Sequence, residues 1–375
     1  MWKLRMSQVM IFFSFVFLHL VVSPICALPL APALYVFGDS LMDSGNNNFL
    51  PTLAKANYLP YGADFPTGPS GRFTNGKTVA DLLAEYLGLP YSPPFLSFEG
   101  PRSLTGINYA SGSCGILPET GALLGKCLNV EEQINLFQRT IEVHLPREIK
   151  IPTQLSEHLS KSIFVFSIGS NDYINNYLET NFYGTSKHYL PRPFAQLLIE
   201  KLSKHFEVQY SSPKLTVTLM RMYKLGARKI IMFELGPVGC IPAVARKHPH
   251  TGDCVEKTNQ MVAYFNNRLS PMLKNMTSNH PGSTFVLGRA NSLGYDAIKN
   301  PSLYGLTDKS NPCCTTWANG TSGCIPFTKP CMNPSEHVFW DAFHLTEAVY
   351  SVIASACISN RSVCTPMSVQ ELVKV

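Results

Sequence analysis

Five short apolar runs rich in β-branched and aromatic residues punctuate the chain, at 33–37, 106–110, 162–168, 229–235 and 283–287. Their length and bulk are those of strands buried on both faces. Between them the period lengthens. Over 78–87, Val79, Leu82, Leu83 and Tyr86 fall on one helical face, with Thr74 or Asn75 available as a cap and Gly88 as a stop. A second amphipathic stretch covers 258–276, where Pro271 is expected to kink or break it. A third helix is expected to begin near Thr346 and to carry Val349, Val352 and Ile353. Strands alternating with helices predict an α/β fold: a mainly parallel five-stranded sheet covered on both sides, in one doubly wound domain.

The first 27 residues stand outside this pattern. Lys3 and Arg5 precede a nearly unbroken apolar run over 9–22, followed by Ser23, Pro24 and a small-residue site ending at Ala27. That is the order of a cleavable secretory leader, and the run is short for a membrane span. The expected domain therefore covers 28–375, with no stable membrane insertion. Cysteine usage fits export. Cys26 falls in the leader, and the remaining ten are an even number. Cys114 with Cys127, Cys240 with Cys254 and Cys357 with Cys364 are reasonable local pairs. Cys313, Cys314, Cys324 and Cys331 lack the paired C-x-x-C spacing of a zinc site, so disulfides are favoured there and no metal or cofactor is expected. Asn275, Asn319 and Asn360 each open an N-x-S/T sequon, an expected glycosylation site in an exported chain.

Composition narrows the functions. The 375 residues are 45% hydrophobic and only 15% charged, which argues against long disordered tracts. The net charge of +6 is spread along the chain rather than blocked, so no nucleic-acid footprint is evident. Ligands of open parallel sheets bind beyond the carboxyl ends of the strands. There the chain places Gly38-Asp39-Ser40, Ser111-Gly112-Ser113-Cys114-Gly115, Gly169-Ser170-Asn171-Asp172 and Gly236-Pro237-Val238-Gly239. A serine hydroxyl needs a base before it attacks anything. Near the C-terminus, Asp341 and His344 stand three residues apart just before the third helix. That spacing lets a carboxylate turn back onto an imidazole, hold one ring nitrogen protonated and leave the other free for a serine proton. No G-x-S-x-G elbow, H-E-x-x-H, phosphate-binding Walker loop or G-x-G-x-x-G after a strand is present.

These residues carry a family resemblance. Phe37-Gly38-Asp39-Ser40-Leu41 with Asp43-Ser44-Gly45-Asn46-Asn47, Gly71-Arg72-Phe73-Thr74-Asn75-Gly76, the blocks at 108–116 and 169–173, those at 225–229 and 236–240, and Asp341-Ala342-Phe343-His344 occur in the order seen in plant GDSL esterases/lipases of the SGNH hydrolase superfamily. The chain resembles that family from about residue 33 to 357. The resemblance implies a three-layer α/β/α sandwich resembling flavodoxin. It also implies a triad of Ser40 as nucleophile, His344 as base and Asp341 as its orienter. An oxyanion hole would come from the Ser40 N–H, the Asn171 amide and a glycine N–H of the second block, where Gly115 is preferred to Gly112 and Ser113 replaces a frequent glycine. The expected reaction is hydrolysis of carboxylic esters, either acyl lipids or small esters. An acyltransferase or glycan O-deacetylase using the same triad, or a non-catalytic secreted glycoprotein, are the alternatives. A stretch around 205–217, interrupted by Ser211-Ser212-Pro213, looks like an insertion relative to the family.

Overall fold

The computed structural model describes residues 28–97, 104–205 and 221–375. The leader and most of the stretch around 205–217 lie outside the described residues. The main sheet comprises β1 (Leu34–Gly38), β2 (Ile163–Ser167), β3 (Lys229–Phe233), β4 (Thr284–Gly288) and, after a separate pair made by β5 (Asp308–Pro312) and β6 (His337–Phe339), the two-residue β7 (Cys364–Thr365). Strands β1 to β4 are parallel neighbours in chain order, and β7 closes the far edge antiparallel to β4.

The run at 106–110 does not form a regular strand of this sheet. It nevertheless follows the free edge of β1, where Val36 N–H donates to Ile107 O and Tyr109 N–H donates to Val36 O. The opposite side of the run is diverted: Asn108 N–H donates to Pro93 O, and the Asn108 side chain donates to Met42 O. With this run counted, the parallel segments lie in the spatial order 2-1-3-4-5, the order of flavodoxin-like sheets. The fifth regular strand is thus Cys364–Thr365, on the edge beyond β4, rather than the run at 106–110.

Alternate residues of each strand point to opposite faces. Tyr35, Phe37, Phe164, Phe166, Ile230, Met232, Phe285 and Leu287 enter one core. Leu34, Val36, Ile163, Val165, Ile231, Phe233 and Val286 enter the other. The first core is covered by α2 (Val130–Arg139), α3 (Pro152–Lys161), α4 (Pro191–Ser203) and α5 (Glu256–Asn279). The second is covered by α1 (Val79–Leu87), α6 (Ala290–Lys299) and α7 (Glu347–Ser359). The result is a three-layer α/β/α sandwich.

Two expectations about helix ends need correction. The cap of α1 is Thr78 rather than Thr74 or Asn75, in a reciprocal box with Asp81, because Asp81 is also the buried partner of Arg72. Pro271 does not break α5, which continues through it. The carbonyl that Pro271 leaves unpaired belongs to Asn267, on the exposed side where water can satisfy it.

All ten cysteines of the described residues are paired. The bonds are Cys114–Cys127, Cys240–Cys254, Cys313–Cys331, Cys314–Cys324 and Cys357–Cys364, so the central four serve as two crosslinks. No helix among the described residues is long and apolar enough to cross a membrane.

Candidate active site

The polar turns after β1 and β2 meet at the point where the sheet order reverses, the usual ligand crevice of such sheets. Gly38, paired with Ser167, ends β1. A Cβ at Gly38 would stand 2.4 Å from Ser167 O, so no larger residue fits. The buried Gln133 of α2 clamps this point from both sides. Its Oε1 accepts from Gly38 N–H (2.9 Å), and its Nε2 donates to Gly38 O and Leu128 O (both 2.8 Å). Ser40 follows two residues later, with only a small part of its surface exposed.

Hydrogen bonds stitch the surrounding turns into one frame. Asp43 accepts from Gly45 N–H and Asn46 N–H (both 2.7 Å) and from Gly112 N–H (3.1 Å). Asn46 donates to Asn108 O and Ala110 O. Asp172 accepts from Ile116 N–H, Leu117 N–H and the Thr120 hydroxyl. Asp39 is less well provided for. Its Oδ1 accepts from Leu41 N–H, its Oδ2 is buried without a partner, and burial pushes its carboxyl up to about 7.

The Asp341–His344 loop approaches from the other end of the chain. His344 Nε2 lies 2.8 Å from Ser40 Oγ, and His344 Nδ1 lies 2.7 Å from Asp341 Oδ2. Asp341 is fully buried, and its Oδ1 accepts from the backbone N–H groups of Phe343 and His344 (both 2.8 Å). The three-residue spacing thus works through a turn closed on the carboxylate itself, ahead of α7 rather than on it. The imidazole can take a proton from the hydroxyl at one nitrogen while the buried carboxylate stabilises the cation formed at the other.

The segment 71–78 holds this loop in place. Thr74 Oγ1 donates to Leu345 O, Asn75 Oδ1 accepts from Glu347 N–H, and the Phe73 ring lies 5.0 Å from the His344 ring. The Tyr61 hydroxyl donates to Asp341 Oδ2 at 2.6 Å. Neither Gln133 nor Tyr61 stands out in the sequence. Their only signal is a polar residue on the apolar face of α2 and an aromatic one in a loop.

A cavity of about 490 Å³ opens over the Ser40 hydroxyl and His344. Its mouth carries the exposed Leu53 and Trp317, while its inner part is lined by Phe233, Ile298, Val338, Val349 and Ile353, all buried. Asn171 lines it too, its Nδ2 donating to Cys114 O and its Oδ1 accepting from Asn175. Of the glycine block, Ser113 (φ 70°) lines the cavity and Gly115 does not. Gly115 O accepts from Val130 N–H, and a Cβ at Gly115 would meet the Asp172 carboxylate at 2.3 Å. Gly112 N–H is taken by Asp43. Asn275, Asn319 and Asn360 are all exposed, away from this frame except for Asn319, two residues from Trp317 at the mouth.

The family profile described as GDSL-like Lipase/Acylhydrolase matches residues 34–357. GDSL esterase/lipase 7 of Arabidopsis thaliana is 45% identical over 356 residues, spanning 92% of this chain and 93% of the relative. Two further Arabidopsis thaliana GDSL esterases/lipases are each 39% identical, across 92% and 91% of this chain and 86% and 87% of their own lengths. With the family's blocks in order on an α/β/α frame, the chain belongs to the GDSL esterase/lipase family and is a hydrolase of carboxylic esters.

Proposed function

We propose that this enzyme cleaves acyl esters through an acyl-enzyme on Ser40, with His344 as general base and Asp341 as the group that orients and charges it. One observation carries the reading. The Ser40 hydroxyl is 2.8 Å from one imidazole nitrogen, while the other faces a fully buried carboxylate. His344 Nε2 removes the hydroxyl proton as Oγ attacks the ester carbonyl, then returns it to the departing alcohol. Water repeats the sequence on the acyl-enzyme. The developing oxyanion is met by the Ser40 N–H, the Asn171 amide and a backbone N–H of the glycine block. The sequence suggested Gly115 for that last donor; the cavity wall favours Ser113.

The two ends of the cavity suggest how an ester lies in it. The alcohol must leave, and water enter, before the acyl group is released. The leaving alcohol therefore occupies the mouth beside Leu53 and Trp317, and the acyl chain the buried apolar end among Phe233, Val349 and Ile353. The substrate class that fits is a lipid or other ester with an apolar acyl chain.

The leader at 1–27, the five disulfides and the exposed sequons support export of a single glycosylated domain over 28–375, with sugars on Asn275, Asn319 and Asn360. A fluorophosphonate ester tests the chemistry. Peptide mapping of the labelled protein is expected to find one adduct, on Ser40, and the His344→Ala protein is expected to label far more slowly. An adduct on any other serine, or undiminished labelling of His344→Ala, would overturn the mechanism.

A further inference from the structure

Asp341 Oδ2 has a second partner besides the imidazole, contributed by a loop 280 residues away in sequence. Tyr61 is almost fully buried, and its hydroxyl donates to Asp341 Oδ2 at 2.6 Å. The Tyr61 hydroxyl oxygen itself accepts from Cys324 N–H at 3.1 Å. Cys324 is crosslinked to Cys314, whose N–H donates to Trp340 O, one residue before Asp341. Tyr58 packs edge-on against Tyr61 and donates to Cys324 O. The phenol is therefore fixed on both sides: a backbone donor behind it and the carboxylate in front. A Cβ at Gly323 would stand 3.0 Å from the Tyr61 oxygen, so the seat is closed by a glycine.

We propose that Tyr61, held by the Cys314–Cys324 crosslink, is a positioning residue that fixes Asp341 and sets how strongly it attracts the His344 proton. The chemistry follows from the hydrogen-bond count. Asp341 Oδ1 takes two backbone donors, so among the described residues Tyr61 is the only donor besides the imidazole that reaches Oδ2. Burial and the neighbouring carboxylate hold the phenol well above its ordinary pKa, so it stays a neutral O–H donor through the working range. A donor on Oδ2 spreads the carboxylate charge away from the imidazole. Without it, Asp341 pulls harder on the His344 proton, the imidazolium becomes more stable, and free base appears only at higher pH.

This inference rests on the Ser40–His344–Asp341 reading, and the test separates the two. Tyr61→Phe keeps the ring in the aromatic cluster and removes only the hydroxyl. Its kcat is expected to fall about 10-fold with little change in KM, and the acid limb of its kcat/KM profile to move to higher pH by roughly half a unit or more. Replacing Cys314 and Cys324 together by Ala should lower kcat in the same direction. If Tyr61→Phe does not fold, 3-fluorotyrosine at position 61 serves instead; as a stronger donor it should move the acid limb to lower pH. A folded Tyr61→Phe protein with an unmoved limb and normal kcat overturns the inference, as does an unmoved limb in the fluorotyrosine protein. His344→Ala is the control. If it is inactive while Tyr61→Phe is normal, only the role of Tyr61 falls; if it is active, the triad reading falls first.

Discussion

The two halves of the proposed active site are held by different means. Ser40 and Asn171 sit on turns that directly continue two neighbouring strands, β1 and β2, and their frame is anchored in the main core by Gln133. Asp341 and His344 sit on a loop after the short strand β6. Their support is a small separate cluster of Tyr61, Phe73, Trp340 and the disulfide cysteines. A nucleophile placed by a sheet inherits the precision of the strand ladder. A base placed by loops needs crosslinks and individual hydrogen bonds to reach the same precision.

The comparison first predicts equality where the chemistry is joint. Ser40→Ala and His344→Ala should each lose on the order of 10⁴-fold or more in kcat, and the double variant little beyond that, since the groups act as a unit. Losses that multiply in the double variant would mean the two halves act independently.

Asn171 tests the sheet-borne half further. Asn171→Ala should lower kcat by about 10²–10³-fold with KM little changed, if its amide meets the oxyanion. A folded variant with normal kcat and a lower melting temperature would confine Asn171 to bracing Cys114 O.

A matched pair of substitutions sharpens the contrast. Gln133→Leu removes the partner of Gly38 N–H, the side-chain donor to Leu128 O and one of two donors to Gly38 O, and should destabilise the whole protein by about 2–4 kcal/mol. Thr74→Val removes one hydrogen bond to the His344 loop and should cost about 1 kcal/mol while lowering kcat several-fold. Denaturant titration and kinetics on the same samples decide. If Gln133→Leu melts normally, the idea that the core anchors the nucleophile turn is wrong.

The smallest effect is a pH dependence. Burial raises the Asp39 carboxyl to about 7. Between the ordinary value of about 3.9 and 7, the native chain keeps a proton that the unfolded chain has released. Stability should therefore decline as pH rises through that window and level off above it. Asp39→Asn, which keeps an acceptor for Leu41 N–H, should flatten that stretch of the melting-temperature curve by a few degrees. An identical slope in both proteins would show that Asp39 titrates normally.

The same division explains what was legible in the sequence. Four of the five expected strands were readable because each is a compact run buried on both faces. The run at 106–110 was apolar enough to read as a strand, but the turns of Asn108 and Pro93 keep it from completing the edge. Ser40, Asn171, Asp341 and His344 were visible because each sits in a distinctive local block. Tyr61 and Gln133 were not, since their partners lie 280 and 95 residues away and no local pattern encodes such a meeting. In the glycine block the sequence offers Gly115 and Gly112, with Gly115 preferred, and Ser113 stands where a glycine is frequent. A Cβ at Gly115 would meet the Asp172 carboxylate, and Ser113, with a left-handed φ of 70°, lines the cavity.

The cavity, with Leu53 and Trp317 exposed and Ile353 buried, would under the proposed acyl-enzyme also set an order of departure. The alcohol, near the exit, is the first product out. The acid, seated in that proposal among the buried apolar residues, would be the last, and it would leave a site that the next ester needs. Free acid would then compete directly with substrate, whereas alcohol would meet the enzyme in its acylated form and could reverse the first half-reaction. In a lipid-rich setting where hydrolysis products accumulate, turnover by this mechanism would be governed by how readily the freed chain slips out as much as by the serine itself.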